Sequence, residues 1–247
     1  MDKIKLLLIE KSNELFNENK AIVHLVNDEK QNKFLNDLEK YPHAFVLACL
    51  MDRQINAERA WAIPYKIYKE VGTFNIYKIE EKGKVYYKEL FNKNKFHRFN
   101  NDMAEIFYNG ICRIIDKYEG KANKIWKDNP SSATVVYRFL EFDGCGIKIA
   151  TMAENILARE FKIPMLDYYC IDISPDVHIR RVLYRLGFVE KEASHDMVIY
   201  KARELNPKFP GLIDYVCWEI GRNYCRPKIE DCKCEDCFMN EACPKNE

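Results

Sequence analysis

Five of the chain's ten cysteines fall between Cys225 and Cys243, in the run CRPKIEDCKCEDCFMNEAC. So many thiols in one short loop must either surround a common centre or pair with one another. The N-terminal stretch MDKIKLLLIEKSNELF is too charged for a secretory signal. No run approaches the roughly eighteen uncharged apolar residues that a membrane span requires. The expectation is an intracellular protein with reduced thiols, which favours a metal or cluster over a disulfide framework. Cys234-x2-Cys237-x5-Cys243 sets three thiolates at short spacing, and Cys225 precedes Cys234 by eight intervening residues. Four thiolates suit tetrahedral zinc or a [4Fe-4S] cluster, both of which accept all-sulfur ligation. Zinc ribbons use two C-x2-C knuckles and this run has one, so the uneven spacing fits a cluster wrapped by a single loop better. Cys232 is a fifth thiol competing for four places. Cys49, Cys112, Cys145, Cys170 and Cys217 lie in apolar or helical contexts and read as core residues.

The rest of the chain carries a helical period. Only nine glycines interrupt 247 residues, and apolar positions recur every three or four. Residues 3–17 read as a helix with Ile4, Leu7, Leu8, Leu15 and Phe16 turned inward. Further helices are predicted over 31–39, 43–53, 56–70, 131–140, 147–160, 176–186 and 210–223. Residues 103–118 place Met103, Ile106, Phe107, Ile111, Ile114 and Ile115 on one stripe. FNIYKIEEKGKVYY, residues 74–87, is the one β-like patch, read either as two alternating runs about Lys82-Gly83 or as a loop between helices. FKIPMLDYYCIDISP, residues 161–175, holds two prolines and breaks the period, which makes it the predicted domain boundary. A net charge of +1 makes no global demand for a nucleic-acid partner. Residues 78–98, with six lysines and Arg98, are locally basic.

Three further stretches bear chemistry. FLEFDGCGIKIATMAENIL, residues 139–157, joins two predicted helices through Gly144-x-Gly146. Paired glycines permit a tight turn and expose N–H groups at the start of the next helix, an arrangement that suits a phosphate. Read in isolation, the same pattern is a plain turn. PDVHIRRVLYRLGF, residues 175–188, begins a helix with Asp176 as N-cap. ACLMDRQINAERAW, residues 48–61, runs from an apolar helix into a polar turn.

Together these stretches resemble the endonuclease III-type, helix-hairpin-helix (HhH-GPD) DNA glycosylases. The GRNYC helix end followed by C-x2-C-x5-C is similar to that family's C-terminal cluster loop. The family usually places six residues between its first two cysteines. Six residues lead from Cys225 to Cys232, but keeping the later intervals selects Cys234, Cys237 and Cys243. FDGCGIKIA is similar to the hairpin signature L-x-G-x-G-x-K-x-A, with Phe142-Asp143 where the family has leucine-proline. Asp176, His178 and Arg181 match its D-x-H-[IV]-x-R-V segment.

The resemblance implies an all-α, two-lobed helix-hairpin-helix DNA glycosylase fold with an iron–sulfur cluster loop. Residues 36–160 would form a helical barrel ending in the hairpin. Residues 1–35 plus 161–247 would form the cluster domain, with DNA between the lobes. Its implied function is that of a bifunctional glycosylase and AP lyase of base excision repair. Lys148 would attack the sugar C1′ as a neutral amine, form a Schiff base and cut the strand by β-elimination. Asp176 would assist base departure and stabilise the cationic sugar. The Lys148–Asp176 interval is about ten residues longer than the family's, so Asp167 and Asp172 stand as alternatives to Asp176. His178 reads as structural. Gln54 would fill the gap left by a flipped base, while Arg53, Gly144 and Gly146 would meet the DNA backbone, as would Arg59. Cys225, Cys234, Cys237 and Cys243 would hold the [4Fe-4S] cluster. The implied partner is double-stranded DNA with a damaged base or abasic site, bound by a monomer associated with the cytoplasmic nucleoid and not with a membrane. The alternative reading is a non-catalytic iron–sulfur DNA-binding or sensing protein of the same fold. A third, an iron–sulfur electron carrier, leaves Lys148 and the hairpin without a purpose.

Overall fold

The computed structural model describes residues 2–18 and 21–246. Its α-helices run in the order α1 (Asp2–Asn17), α2 (Glu29–Asn36), α3 (Pro42–Met51), α4 (Ala57–Trp61), α5 (Ile63–Val71), α6 (Ile76–Glu80) and α7 (Gly83–Asn94). They continue with α8 (Asn100–Tyr118), α9 (Ser132–Leu140), α10 (Ile147–Arg159), α11 (Val177–Arg185), α12 (His195–Leu205) and α13 (Gly211–Asn223). The protein is all-α, with no strand among the described residues. None of these helices is long and apolar enough to cross a membrane.

The chain divides into two compact units. One comprises Met1–Asn19, Ser131–Ala133 and Glu154–Glu247; the other comprises Lys20–Pro130 and Thr134–Ala153. The hairpin lies in the second unit and the C-terminal cysteines in the first. This division differs at its edges from the expected one. Residues 161–175 lie wholly inside the cysteine-bearing unit, because Ile171 and Ile173 are buried in spite of the flanking prolines. The boundary falls instead within α10, between Ala153 and Glu154. The segment before α2 packs in the hairpin-bearing unit. There Asn32 Oδ1 accepts from the Leu25 and Val26 amides, and Asn36 Oδ1 accepts from the Val23 amide.

The hairpin-bearing unit is built around α3, whose ten residues PHAFVLACLM are all buried. A helix that is apolar on every side must be surrounded, and α2, α4, α5 and α8 pack against it. α8 turns Met103, Phe107, Ile111 and Ile114 inward as its stripe predicts, while Ile106 and Ile115 are only half-buried. The region 56–70 is two helices and not one, since Pro64 near the start of α5 lacks the N–H that would continue the ladder from α4. Residues 74–87 are neither strand nor loop but α6 and the start of α7. Asn75 caps α6 by accepting from the Tyr77 and Lys78 amides, and Gly83 takes a φ of 75° at the junction. Ile76 and Ile79 in α6 and Tyr87 in α7 are buried, with Ile76 and Ile79 at helical spacing.

In the cysteine-bearing unit α13 packs against both α1 and α11. The core joins Leu8 of α1 to Ile179, Val182 and Leu183 of α11, and to Ile213, Val216, Cys217 and Ile220 of α13. Met239, from the cysteine loop, is buried in the same core. α12 has no counterpart among the predicted helices. Ser194 caps it through the Met197 amide, but only Val198, Ala202 and Leu205 are buried, so its apolar stripe is thin.

Candidate functional site

The glycine turn between α9 and α10 is held from below by Phe142. This residue is buried and lies parallel to Tyr118, with ring centroids 6.3 Å apart. Phe142 thereby supplies an apolar anchor for the turn. The neighbouring Asp143 carboxylate accepts from Asn109 Nδ2 at 2.9 Å. Gly144 has a φ of 74°, which favours glycine, and a Cβ there would come within 2.7 Å of the Ile106 side-chain tip, which would have to shift. Gly146 has nothing within 4 Å of where its Cβ would stand, and its carbonyl accepts from the Ile149 and Ala150 amides to start α10. Lys148 is exposed in the first turn of α10. The turn therefore presents an open backbone, a helix N-terminus and a cation side by side, which is anion-binding chemistry.

The C-terminal end of α3 approaches this turn. Arg53 Nη1 lies 3.4 Å from the point where a Gly144 Cβ would stand, and the Cys49 thiol interacts electrostatically with Cys145. Asp52 closes α3, with its N–H donating to the Cys49 carbonyl, and its carboxylate accepts from Trp61 Nε1 at 3.4 Å. Burial raises the Asp52 carboxyl above its usual range; the Trp61 bond and the charge of Lys148 act against that rise. Gln54 is exposed with a φ of 55°. A non-glycine residue in this region carries backbone strain, which functional turns retain. Arg59 differs from its expected role. Its Nε donates to the Phe96 carbonyl at 3.0 Å and its Nη2 to the Lys95 carbonyl, so the guanidinium closes the end of α7. The basic run of 78–98 is partly neutralised, since Lys84 and Lys88 both pair with Glu105.

In the other unit Asp176 is the N-cap of α11, and its Oδ1 accepts from the His178 and Ile179 amides at 2.8 and 2.9 Å. The two alternative aspartates are engaged elsewhere. Asp172 makes a bidentate pair with Arg203, both bonds 2.7 Å, and Asp167 accepts from the Ser132 hydroxyl and the Tyr169 amide. His178 lies against Gly221 and contacts Arg181 through Nδ1.

All five C-terminal cysteines line one cavity, together with Val182, Arg185, Leu186, Ile220 and Met239. No carboxylate or imidazole lines it; besides the five thiols its polar lining residues are Arg185, Tyr224, Asn240 and Lys245. Burial, and then the like charge of Cys243, Cys225 and Cys234, raises the Cys237 thiol above its usual value. Cys232 has partners of its own: the Arg226 amide donates to its sulfur at 3.1 Å, and Arg185 Nη1 at 3.0 Å. Arg185, buried in α11, also donates to Cys225 Sγ at 3.1 Å. Among the described residues, no three His, Cys, Asp or Glu side chains stand close enough together to hold a single metal ion. Arg185 and Asp52 had no signal in the sequence. An arginine forty positions before the first loop cysteine reads as an ordinary helix residue, and an aspartate after an apolar helix reads as its stop.

No family model matches this sequence, and no curated protein matches it. Solved structures to which the chain is similar include two endonuclease III–DNA complexes. One is a trapped covalent endonuclease III–DNA intermediate in an estranged-adenine complex, and the other a non-covalent endonuclease III–DNA complex. Each matches with a TM-score of 0.61 at 17% identity, over 99% of this chain and 95% of the other. A likeness at that identity is one of fold. The protein has an endonuclease III-like fold.

Proposed function

We propose that the protein is a bifunctional DNA glycosylase and AP lyase that acts on double-stranded DNA carrying a damaged or mismatched base or an abasic site. The observation that carries this reading is Lys148, exposed in the first turn of the helix that follows the glycine hairpin. An amine there is accessible to a sugar whose flanking phosphate rests on the Gly144–Gly146 backbone. Lys148 attacks C1′, the base leaves, and the resulting imine acidifies the C2′ proton so that β-elimination cuts the strand. Asp176 stabilises the positive charge that develops on the sugar. Gln54 occupies the space of the extruded nucleotide and offers its amide to the orphaned base, and Arg53 neutralises a backbone phosphate. The engagement of Asp172 by Arg203 and of Asp167 by Ser132 supports Asp176 for this role.

The C-terminal loop would carry a [4Fe-4S] cluster on Cys225, Cys234, Cys237 and Cys243. Five thiols on one cavity that carries no carboxylate or imidazole fit such a cluster, and the Arg226 amide bond to the Cys232 sulfur supports leaving Cys232 out. Its contribution is structural, since the lysine and aspartate chemistry needs no electron transfer. The protein works as a monomer among the DNA of the cell.

Borohydride trapping tests the reading. Wild type is expected to become covalently linked to duplexes bearing an oxidised pyrimidine, 8-oxoguanine, uracil, mismatched thymine or an abasic site, and Lys148→Gln to remain free. Failure of wild type to trap on every duplex would sink it. The non-catalytic alternative predicts duplex binding that survives Lys148→Gln without any strand cleavage.

A further inference from the structure

A second cavity, of about 700 Å³, opens within the hairpin-bearing unit between the start of α3, the end of α5, the start of α6 and the segment that follows α8. That volume suits a small molecule. The cavity is separate from the glycine turn. His43 lines it at the first turn of α3, whereas Arg53 meets Gly144 beyond the last, with roughly 12 Å of helix between His43 and Met51.

The walls are aromatic. Phe74 lies parallel to the His43 ring, with centroids 5.0 Å apart and planes 9° apart. Tyr41 stands 6.3 Å from Tyr68 and 6.4 Å from Phe74. Such walls favour a planar ligand. His43 is only 5% exposed, and its Nε2 lies 2.7 Å from the Phe74 carbonyl. A carbonyl only accepts, so Nε2 carries the hydrogen. Burial keeps the ring from taking a second proton, lowering its pKa from 6.5 to about 4. Near neutrality Nδ1 is therefore a bare lone pair, and it has no hydrogen-bond partner in the protein. An acceptor held so deep without a donor is costly, and a ligand N–H would recover that cost. Thr73 offers the complement. Its Oγ1 accepts from the Asn75 amide at 3.2 Å, which leaves its hydroxyl hydrogen free to donate. Two carboxylates, Glu39 and Glu119, and two ammonium groups, Lys40 and Lys121, line the cavity, so its net charge is zero.

We infer that this cavity binds an uncharged nucleoside whose base packs on the aromatic walls, with a ring N–H donating to His43 Nδ1 and the neighbouring carbonyl accepting from Thr73. Each part of that ligand follows from the cavity. The walls ask for a planar ring, the lone acceptor and the lone donor for an N–H beside a carbonyl, and the balanced charge for a neutral molecule. The volume leaves room for a sugar as well as a base.

Nitrogen-15 spectra of the full chain follow His43 Nδ1, whose signal is assigned by its loss in His43→Gln. Titration with uridine should move that signal upfield and saturate. 3-Methyluridine differs in lacking the ring N–H. It should bind about tenfold more weakly and leave the Nδ1 signal in place. No Nδ1 shift with uridine would overturn the proposal. Equal affinities for uridine and 3-methyluridine would do the same, since the Nδ1 acceptor would then be unused. Tighter binding of uridine 5′-monophosphate, or of a single-stranded oligouridylate that gives the same shift, would overturn the uncharged assignment and move the base into a nucleotide or a strand. None of these measurements depends on strand cleavage, so failure of the lysine chemistry and failure of this site are distinguishable.

Discussion

Cys232 separates from the other loop cysteines by one bond to its sulfur: the Arg226 amide donates to it, while Arg185 donates to both Cys232 and Cys225. Cys232→Ser should therefore retain iron and the broad visible absorption of a cluster, and Cys234→Ser should lose both. Iron analysis with an absorption spectrum decides this, and equal losses in the two variants would remove the assignment. The C-x2-C-x5-C spacing was legible because ligands on one loop are close in sequence. Arg185 was not, since nothing linear relates position 185 to a loop beginning at 225.

Among the helices, the critical approach within the cysteine-bearing unit is that of α13 to α11. A Cβ at Gly221 would stand 2.7 Å from His178 Cβ and 3.2 Å from its Cα, so the added carbon meets backbone that cannot swing away. His178 follows the Asp176 cap by two residues, and the Asp176 carboxylate is oriented by the amides of that same turn. Gly221→Ala should cost about 1–3 kcal/mol, read as a fall in the denaturation midpoint. Trapping on an abasic duplex should slow as well, because the start of α11 is displaced. An Ala variant with unchanged stability would show that the two helices do not approach this closely. The start of α11 was readable from Asp176 and the apolar stripe behind it. The α6–α7 region was misread because Gly83 splits it into two short apolar–polar runs, while its buried residues, Ile76 and Ile79 and then Tyr87, Leu90 and Phe91, recur at helical spacing.

Over the whole molecule, two buried titratable groups give the units opposite responses to pH. His43, in the hairpin-bearing unit, is lowered by burial from 6.5 to about 4, although its Nε2 bonds the Phe74 carbonyl at 2.7 Å. Below 6.5 the unfolded chain takes up a proton that the folded unit refuses. Stability is therefore full above that pH and falls as pH drops towards 4, by on the order of 3 kcal/mol. Glu154, in the cysteine-bearing unit, is fully buried with neither carboxyl oxygen hydrogen-bonded. Burial, then Asp167 and Asp172, raises it from 4.5 to about 9. Between those values the unfolded chain is ionised and the folded unit keeps its proton, so this unit loses stability as pH rises. Hydrogen exchange across pH should show acid loosening the residues around α3 and alkali those around the last turns of α10. Glu154→Leu should abolish the alkaline slope and leave the acid one. An alkaline slope unchanged in that variant would acquit Glu154.

The amino-acid order alone determined the helical class, the glycine turn with its lysine, the capping aspartate and the thiol loop. Each is a local pattern, set by helical period, by the φ a glycine allows or by spacing within one loop. Only the tertiary structure decided that the unit boundary cuts α10, that Arg59 closes a helix, that Arg185 holds two sulfurs, and that Trp61 bonds the Asp52 carboxylate. Those outcomes join residues far apart in the chain. They depend on which apolar faces pack together and which polar groups that packing leaves to be satisfied, and the folded core settles that all at once.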